Sequence, residues 1–346
     1  MTAKHKSLAE RIVGASIVVG IAHLCLKFVG LIQAKAAAHF LSTNEYEPIL
    51  VVAFTGVIST LFLIGEEVIG PSFLPVFMRE MDSKGEKEAW SFVNVLLTLQ
   101  AILLLVAVGG IMLFPDFFIR LFTEWRAGDN PERYALLRRS LVILAPALFC
   151  LSIGSTTYML LNGYKRFFLA AFGDASTKIC VVVALFLGMG LFGIGTKAVF
   201  FGLLLGSVAK LLTHLLGMLR ELRFFRPSLD WRNPAVKAMA LLMLPLLAGI
   251  LIAKVRDNFN SIYSLSRYTD DPGLMMANDL GRKLFASIQW LVPYALQIAL
   301  FPFLCELVDK DDRAKLGEVL STSCRHLAAV FVPGSIMIAV LAVPIS

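Results

Sequence analysis

The sequence predicts an all-α polytopic membrane protein of about nine transmembrane helices. Three observations carry that prediction. Of 346 residues, 58% are hydrophobic and only 16% are charged, against about 25% charged in a soluble domain. The apolar residues fall in blocks of about twenty or more, long enough to cross a bilayer core as helix. Lysine and arginine gather in alternate connections between the blocks, as they do in cytoplasmic loops. The net charge of +7 is therefore a topology signal, and no solvated basic face points to nucleic acid. The five cysteines, Cys25, Cys150, Cys180, Cys305 and Cys324, lie in or beside apolar runs without CxxC spacing. That arrangement argues against a disulfide framework or a zinc site.

The blocks run at 12–41, 47–77, 89–114, 138–163, 167–189, 196–219, 236–265, 281–305 and 317–344. The first follows the basic stretch MTAKHKSLAER and is too long for the apolar part of a signal peptide, so it reads as a retained span. The first, second and seventh are long and interrupted by polar residues, which fits tilted or bent helices. Pro146, Pro245, Pro293 and Pro333 fall inside spans, where membrane helices tolerate them. Lys4, Lys6 and Arg11 precede the first span. Lys165 and Arg166 join the fourth to the fifth, and Arg220, Arg223, Arg226, Arg232 and Lys237 lie around the connection from the sixth to the seventh. The opposite connections include STNEYE and the uncharged GMGLFGIG. The 115–137 connection, with Arg120, Arg126 and Arg133, departs from the pattern, as long loops do. A cytoplasmic N-terminus is expected. The stretch GMGLFG (188–193) matches GxGxxG, but it joins two spans rather than a strand to a helix, so a short turn is expected there and not a nucleotide site.

An internal repeat organises the spans. FLPVFMREMDSKGEKEAW (73–90) and LFPFLCELVDKDDRAKLG (300–317) each close a span with a proline and place an aspartate seven residues later. These are Asp82 after Pro75 and Asp309 after Pro302, with the two prolines 227 residues apart. Six spans fill that period, and an even number preserves orientation, so the repeat is parallel. The expected domains are an N-terminal six-helix lobe at 1–225 and the first three helices of a second lobe at 226–346. A complete second lobe would reach about residue 463 by the same period, so the chain reads as a C-terminally truncated form of a longer architecture.

LNGYKRFF (161–168), RPSLDWRNPAVKAMALLMLPLLAG (226–249) and YALQIALFPFLCEL (294–307) resemble the MurJ/MviN family of lipid II flippases, within the MOP superfamily of MATE-like exporters. GPSFLPVFMRE (70–80) is similar to the family's second-span ending. The resemblance covers essentially the whole chain. It implies two six-helix lobes and an extra C-terminal helix pair that accommodates a lipid tail. It implies a flippase that carries lipid II, an undecaprenyl-pyrophosphate-linked peptidoglycan precursor, across the bacterial inner membrane by alternating access. It implies no resident cofactor, with sodium, protons or membrane potential as the drive. The partners would be membrane lipids and that precursor, and a monomer is expected. No P-loop, HExxH or nucleophile elbow supports an enzyme. Two other readings stay open: a MATE-like ion-coupled small-molecule exporter, and an inactive or scaffolding remnant.

The candidate site residues are charges within spans. Each such charge costs about 2.5–3.5 kcal/mol on insertion scales, so it needs a partner or a cavity. Lys27 lies over about 20 Å of helix from either end of the first span, beyond full snorkelling reach. Lys27, Leu31 and Lys35 repeat at helical spacing, and His39 continues that face. Glu66 and Glu67 in the second span are the expected partners of Lys27. The arrangement is either a structural ion pair or a cationic site for a pyrophosphate, to which a lysine offers charge and three donors. Where the family pattern has an arginine and then an Arg-Asp pair, this chain has Lys27 and then Gln33 and Ala34, with Gly30 kept. The seventh span adds Lys254, Arg256, Asp257, Asn258 and Asn260. Arg256 and Asp257 diverge by about 100°, so one of them is expected to face the cavity. Arg282 and Lys283 open the eighth span, either as transport residues, as the resemblance implies for Lys283, or as interfacial anchors. The resemblance also sets Asn260 near a family sodium position, so Glu66, Glu67, Asp257 and Asn260 are candidates for ion coupling or ion pairing. Asp174 and Lys178 are expected to pair at i, i+4, and Lys210 and His214 to snorkel toward the cytoplasmic end.

Overall fold

The computed structural model describes residues 28–54, 56–267, 273–291 and 313–340, and among these there are helices and no strand. The described residues open with helix α1 (28–40) and then α2 (Thr43–Ile49), which continues as a π-helical turn over Leu50–Phe54. There follow α3 (Val57–Lys84), α4 (Glu86–Leu113), α5 (Pro115–Phe122), α6 (Pro131–Gly163) and α7 (Phe167–Val183). A π-helical stretch extends α7 to Leu191. Next come α8 (Lys197–Gly217), α9 (Pro234–Asn258), α10 (Leu274–Leu291) and α11 (Arg313–Val340). A π-turn over Phe259–Tyr263 and a last turn to Ser266 extend α9.

Local chemistry sets the boundaries. Ser42 and Glu45 form a capping box that starts α2: Glu45 accepts from the Ser42 N–H at 3.0 Å and from its hydroxyl at 2.8 Å. Asn130 and Asn233 each accept a backbone N–H as N-cap, and each is followed by a proline at the first helical position. Between α3 and α4 the chain turns on Gly85 at φ 86°, a conformation that a Cβ would strain.

Among the described residues, six helices are long and apolar enough to cross a membrane: Thr43–Lys84, Glu86–Leu113, Pro131–Gly163, Phe167–Leu191, Lys197–Gly217 and Pro234–Ser266. They coincide with the second to seventh blocks of the sequence. Most of the first block lies outside the described residues, as does the eighth beyond Leu291. Two local expectations change. The 115–137 connection contains α5, which buries Ile119 and Phe122 and exposes Phe117 and Leu121. At eight residues it is too short to register as a span. Helix α10 begins at Leu274, ahead of the expected start at 281, because the polar residues before Gly281 are helical too.

The chain divides into two compact units, Met1–Gly281 and Arg282–Ser346. In the first, α6 is the central rod, packed against α2, α3, α4, α7 and α8, while α9 leans on α3. The α7–α8 contact is close because α8 presents glycine to its neighbour. A Cβ on Gly206 would sit 2.8 Å from the Thr177 carbonyl, and one on Gly202 3.0 Å from the Val181 Cα. Two apolar clusters hold the unit. One joins Tyr46, Ile49, Ile111, Leu137, Leu141 and Phe200. The other joins Phe73, Phe77, Trp90, Phe92, Leu160 and Met218. Between these clusters α6 and α8 bury polar and charged residues, among them Ser155, Thr157, Lys210 and His214, and there the site begins.

Candidate functional site

The interior polar layer draws on four helices. Lys210 of α8 reaches Asp174 of α7 at 2.6 Å, and its ammonium also lies 4.9 Å from the centre of the Phe62 ring. Glu66 of α3 is within electrostatic reach of both. One turn past Lys210, His214 has Nδ1 3.0 Å from the Gly154 carbonyl and 3.0 Å from the Thr157 hydroxyl. Its Nε2 lies 3.2 Å from the Ala170 carbonyl. Two glycines make room for these side chains. A Cβ on Gly154 would stand 3.0 Å from Lys210 Cε, and one on Gly173 would overlap the imidazole.

This corrects the reading of Lys210 and His214 as snorkelling groups, since they are 2% and 0% exposed. Asp174 and Lys210 lie about 10 Å of helix in from the Phe167 and Gly217 ends, and the interior supplies their counter-charge. The ion pair of Asp174 is with Lys210 on the next helix rather than the expected i, i+4 pair. The Lys178 ammonium lies 3.3 Å from the position a Cβ on Gly30 would take, toward α1.

A second pair joins α3 to α9. Glu67 Oε1 lies 2.6 Å from Lys254 Nζ, about 25 Å along the helix from Lys84. Sequence reasoning assigned Glu67 to Lys27, which lies outside the described residues; Lys254 was noted but not matched to it. Arg256 and Asp257 bond to each other at 3.1 and 3.3 Å; Arg256 is exposed and Asp257 is half-buried. Asn258 Oδ1 is buried without a hydrogen-bond partner among the described residues. Asn260 is exposed in the π-turn, and the nearby Ser261 hydroxyl bonds back to the Asp257 carbonyl. On α1, Gln33 is half-buried and Lys35 is exposed, beside the buried Ala34 and Ala36. Arg282 and Lys283 belong to the second unit and sit two turns inside α10.

At the end of the first unit where α2 begins, a further constellation went unnoticed in the sequence. Glu47 is buried, with its carboxylate 3.4 Å from the Arg133 guanidinium, and it accepts the backbone N–H of Gly273 at 3.1 Å. It thus occupies the N-terminus of α10, where the helix dipole favours an anion. The Tyr46 hydroxyl donates to Asp279 at 2.8 Å. Arg133 also donates to Asn44 and stacks 5.0 Å from the Trp125 ring. Ser266 accepts from the Glu124 N–H at 2.9 Å, and Arg267 reaches Glu124 at 3.2 Å. The end of α9 and the start of α10 are thereby each tied to the rest of the unit. The stretch NEYEP had looked like an ordinary polar connection, because burial of Tyr46 and Glu47 depends on residues more than 200 positions away.

At the opposite end, Tyr164 receives a hydrogen bond from the Trp90 indole and donates to Glu86, each at 2.8 Å. Burial pushes its phenol up, and the Glu86 carboxylate adds to the rise against the opposing Trp90 bond. Arg166 pairs with both oxygens of Glu221, at 2.7 and 3.0 Å, and also donates to the Gly217 carbonyl. LNGYKRFF thus ties the α6–α7 turn to the end of α8.

Several long apolar helices packed in one bundle define a multi-pass membrane protein. The family model for the lipid II flippase MurJ matches residues 37–346. The chain belongs to that family. It is 21% identical over 331 residues to the probable lipid II flippase MurJ of Borreliella burgdorferi, covering 95% of this chain and 63% of that one. It is 24% identical over 214 residues to the lipid II flippase MurJ of Thermosipho africanus, covering 61% and 42%. A solved lipid II flippase MurJ in an inward closed conformation superposes with a TM-score of 0.64 at 19% identity, covering 86% of this chain and 59% of that one. The chain thus spans between 42% and 63% of these relatives' lengths.

Proposed function

We propose that this protein translocates lipid II, an undecaprenyl-pyrophosphate-linked cell-wall precursor, across the bacterial inner membrane by alternating access. The observation that carries the reading is the family match over residues 37–346. The intramembrane charges give it a physical basis, since ionisable groups within spans mark substrate and ion pathways. In this reading the protein has nine spans, a cytoplasmic N-terminus, a first lobe at 1–225 and the opening helices of a second at 226–346. It acts as a monomer. Lys27, Gln33, Lys35, Arg256, Arg282 and Lys283 face the pyrophosphate, to which ammonium and guanidinium groups offer charge-assisted hydrogen bonds. Glu66, Glu67, Asp257 and Asn260 serve ion coupling or ion pairing, with Na⁺, H⁺ or the membrane potential as the drive.

The test is replacement of the resident lipid II flippase in a conditional strain, with lipid II on each leaflet measured after depletion. Rescue with outward movement of lipid II is expected. Growth arrest with lipid II held on the cytoplasmic leaflet, for both this chain and a longer form, would overturn the reading. A charge swap separates transport from architecture at the α3–α9 pair. Lys254→Glu alone is expected to lower rescue at least tenfold, and Glu67→Lys added to it should restore folding and rescue if the pair is structural. Restored folding without rescue assigns Glu67 or Lys254 to transport.

A further inference from the structure

We propose that the connection between α8 and α9, residues 218–233, is a binding surface for the headgroups of anionic phospholipids in the leaflet on its side of the membrane. Four observations carry it, and none depends on what the protein transports.

The first is depth. The connection is strapped to α4 at a fixed level. The Asn94 side chain donates to the Phe224 carbonyl and accepts the Arg226 N–H, each at 3.0 Å, and Thr98 accepts the Ser228 N–H at 3.1 Å. The Phe224 ring packs 6.4 Å from Trp90. The second is the surrounding apolar boundary. On α4 the exposed large apolar residues begin at Leu99 and continue through Ile102 and Leu103. On α9 they begin at Leu241, and at the end of α8 they stop at Leu219. The strap therefore runs along the border where three helices change from a polar to an apolar outer surface, the level of the headgroups.

The third is composition. Phe225, Leu229 and Trp231 are exposed, with Trp231 65% exposed, and an exposed tryptophan at that level is a typical interfacial anchor. Among them stand the exposed Arg223, Arg226 and Arg232. The fourth is charge balance. Neither these arginines nor Arg220 forms a salt bridge with a carboxylate among the described residues. The nearest acid on the segment, Glu221, is buried and held by Arg166, while Asp230 accepts the Arg232 N–H. Instead, two of the guanidiniums lie by rings, Arg223 4.7 Å from Phe224 and Arg232 5.6 Å from Trp231. Guanidinium on an aromatic face keeps its outer N–H donors for a second partner. A lipid phosphate offers the planar acceptor pair that a guanidinium binds best, and its acyl chains continue onto the apolar belt. Each arginine at an anionic surface strengthens attachment by about fivefold.

The experiment uses the full chain in nanodiscs of phosphatidylcholine alone or with about a quarter phosphatidylglycerol, the share of anionic lipid on which the surface potential depends. Co-purifying phosphatidylglycerol is counted by native mass spectrometry, and thermal unfolding is followed in parallel. Wild type is expected to retain phosphatidylglycerol and to unfold several degrees higher in its presence. The triple variant Arg223→Gln, Arg226→Gln, Arg232→Gln should lose most of the retained lipid and all of that rise, yet unfold as wild type does in phosphatidylcholine. A control removing Arg120, Arg138 and Arg139 at the other end should keep both. Equal retention by wild type and the triple variant would overturn the proposal. So would displacement of the lipid by millimolar inorganic pyrophosphate, which would make the surface a site for soluble phosphates. If the triple variant unfolds early in phosphatidylcholine, Asn94→Ala replaces it: release of the strap with its arginines intact should also lower retention, and unchanged retention again overturns the proposal.

Discussion

Lys210 is an ammonium sealed inside a membrane helix bundle, and its environment answers each demand of that position. Asp174 takes the charge at 2.6 Å, Phe62 lies against it, and Gly154 leaves room for the aliphatic stem. Removing one partner of a buried ion pair strands the other, at a cost of about 3–5 kcal/mol. Lys210→Met should therefore lower thermal stability sharply, and Asp174→Asn added to it should recover part of the loss, because the stranded carboxylate is gone. Glu66 remains in both variants and sets the size of the shortfall. The neighbouring imidazole makes a similar demand on Gly173. Gly173→Ala drives a methyl into His214, and overpacking of this kind costs about 1–3 kcal/mol. The same substitution in a His214→Ala background should cost less, and unfolding temperatures of the four variants in one detergent decide it.

At the scale of elements, the constellation at the start of α10 is the strongest case for a long-range tie. Glu47 caps the helix and neutralises the buried Arg133 at once. Glu47→Ala should raise amide hydrogen exchange across 273–279 at least tenfold and destabilise the unit by about 3–5 kcal/mol, while Arg133→Met added to it should recover part of the stability. That tie also shows where sequence reasoning ends. The second to seventh spans were legible, because about twenty apolar residues in a row have few other fates. Glu66, Glu67, Lys254 and Asp257 were legible as charges in spans, because each is expensive there. Their partnerships were not. Helix faces diverge by about 100° per residue, so Glu66 and Glu67 serve different neighbours, and which neighbour follows from how helices far apart in sequence pack. The caps at Asn130 and Asn233 needed no such knowledge, since Asn-Pro before an apolar run states the start of a helix by itself.

The first unit as a whole is layered along its helices: an apolar cluster, an ionic middle, and a second apolar cluster. Around this, α4 and α9 turn rows of leucine, isoleucine and valine outward, as helices facing acyl chains do. The layering fixes depth, so the site's charges depend on helices keeping their register from one end to the middle. The π-turn at Phe259–Tyr263 bears on this. A π-turn is an α-helix that has taken in one residue too many. Deleting Asn260 should let α9 run on as plain α-helix and leave the residues on either side of it on their present faces. Lys254 would stay opposite Glu67, and Ser266 would stay beside the Glu124 N–H. The deletion is expected to spare both the Glu67–Lys254 pair in a charge-swap cycle and the hydrogen-exchange protection of the Glu124 amide. Over evolutionary time, such a slack residue lets a lineage gain or lose length at the rim of the protein while the alignment of its interior charges is inherited intact.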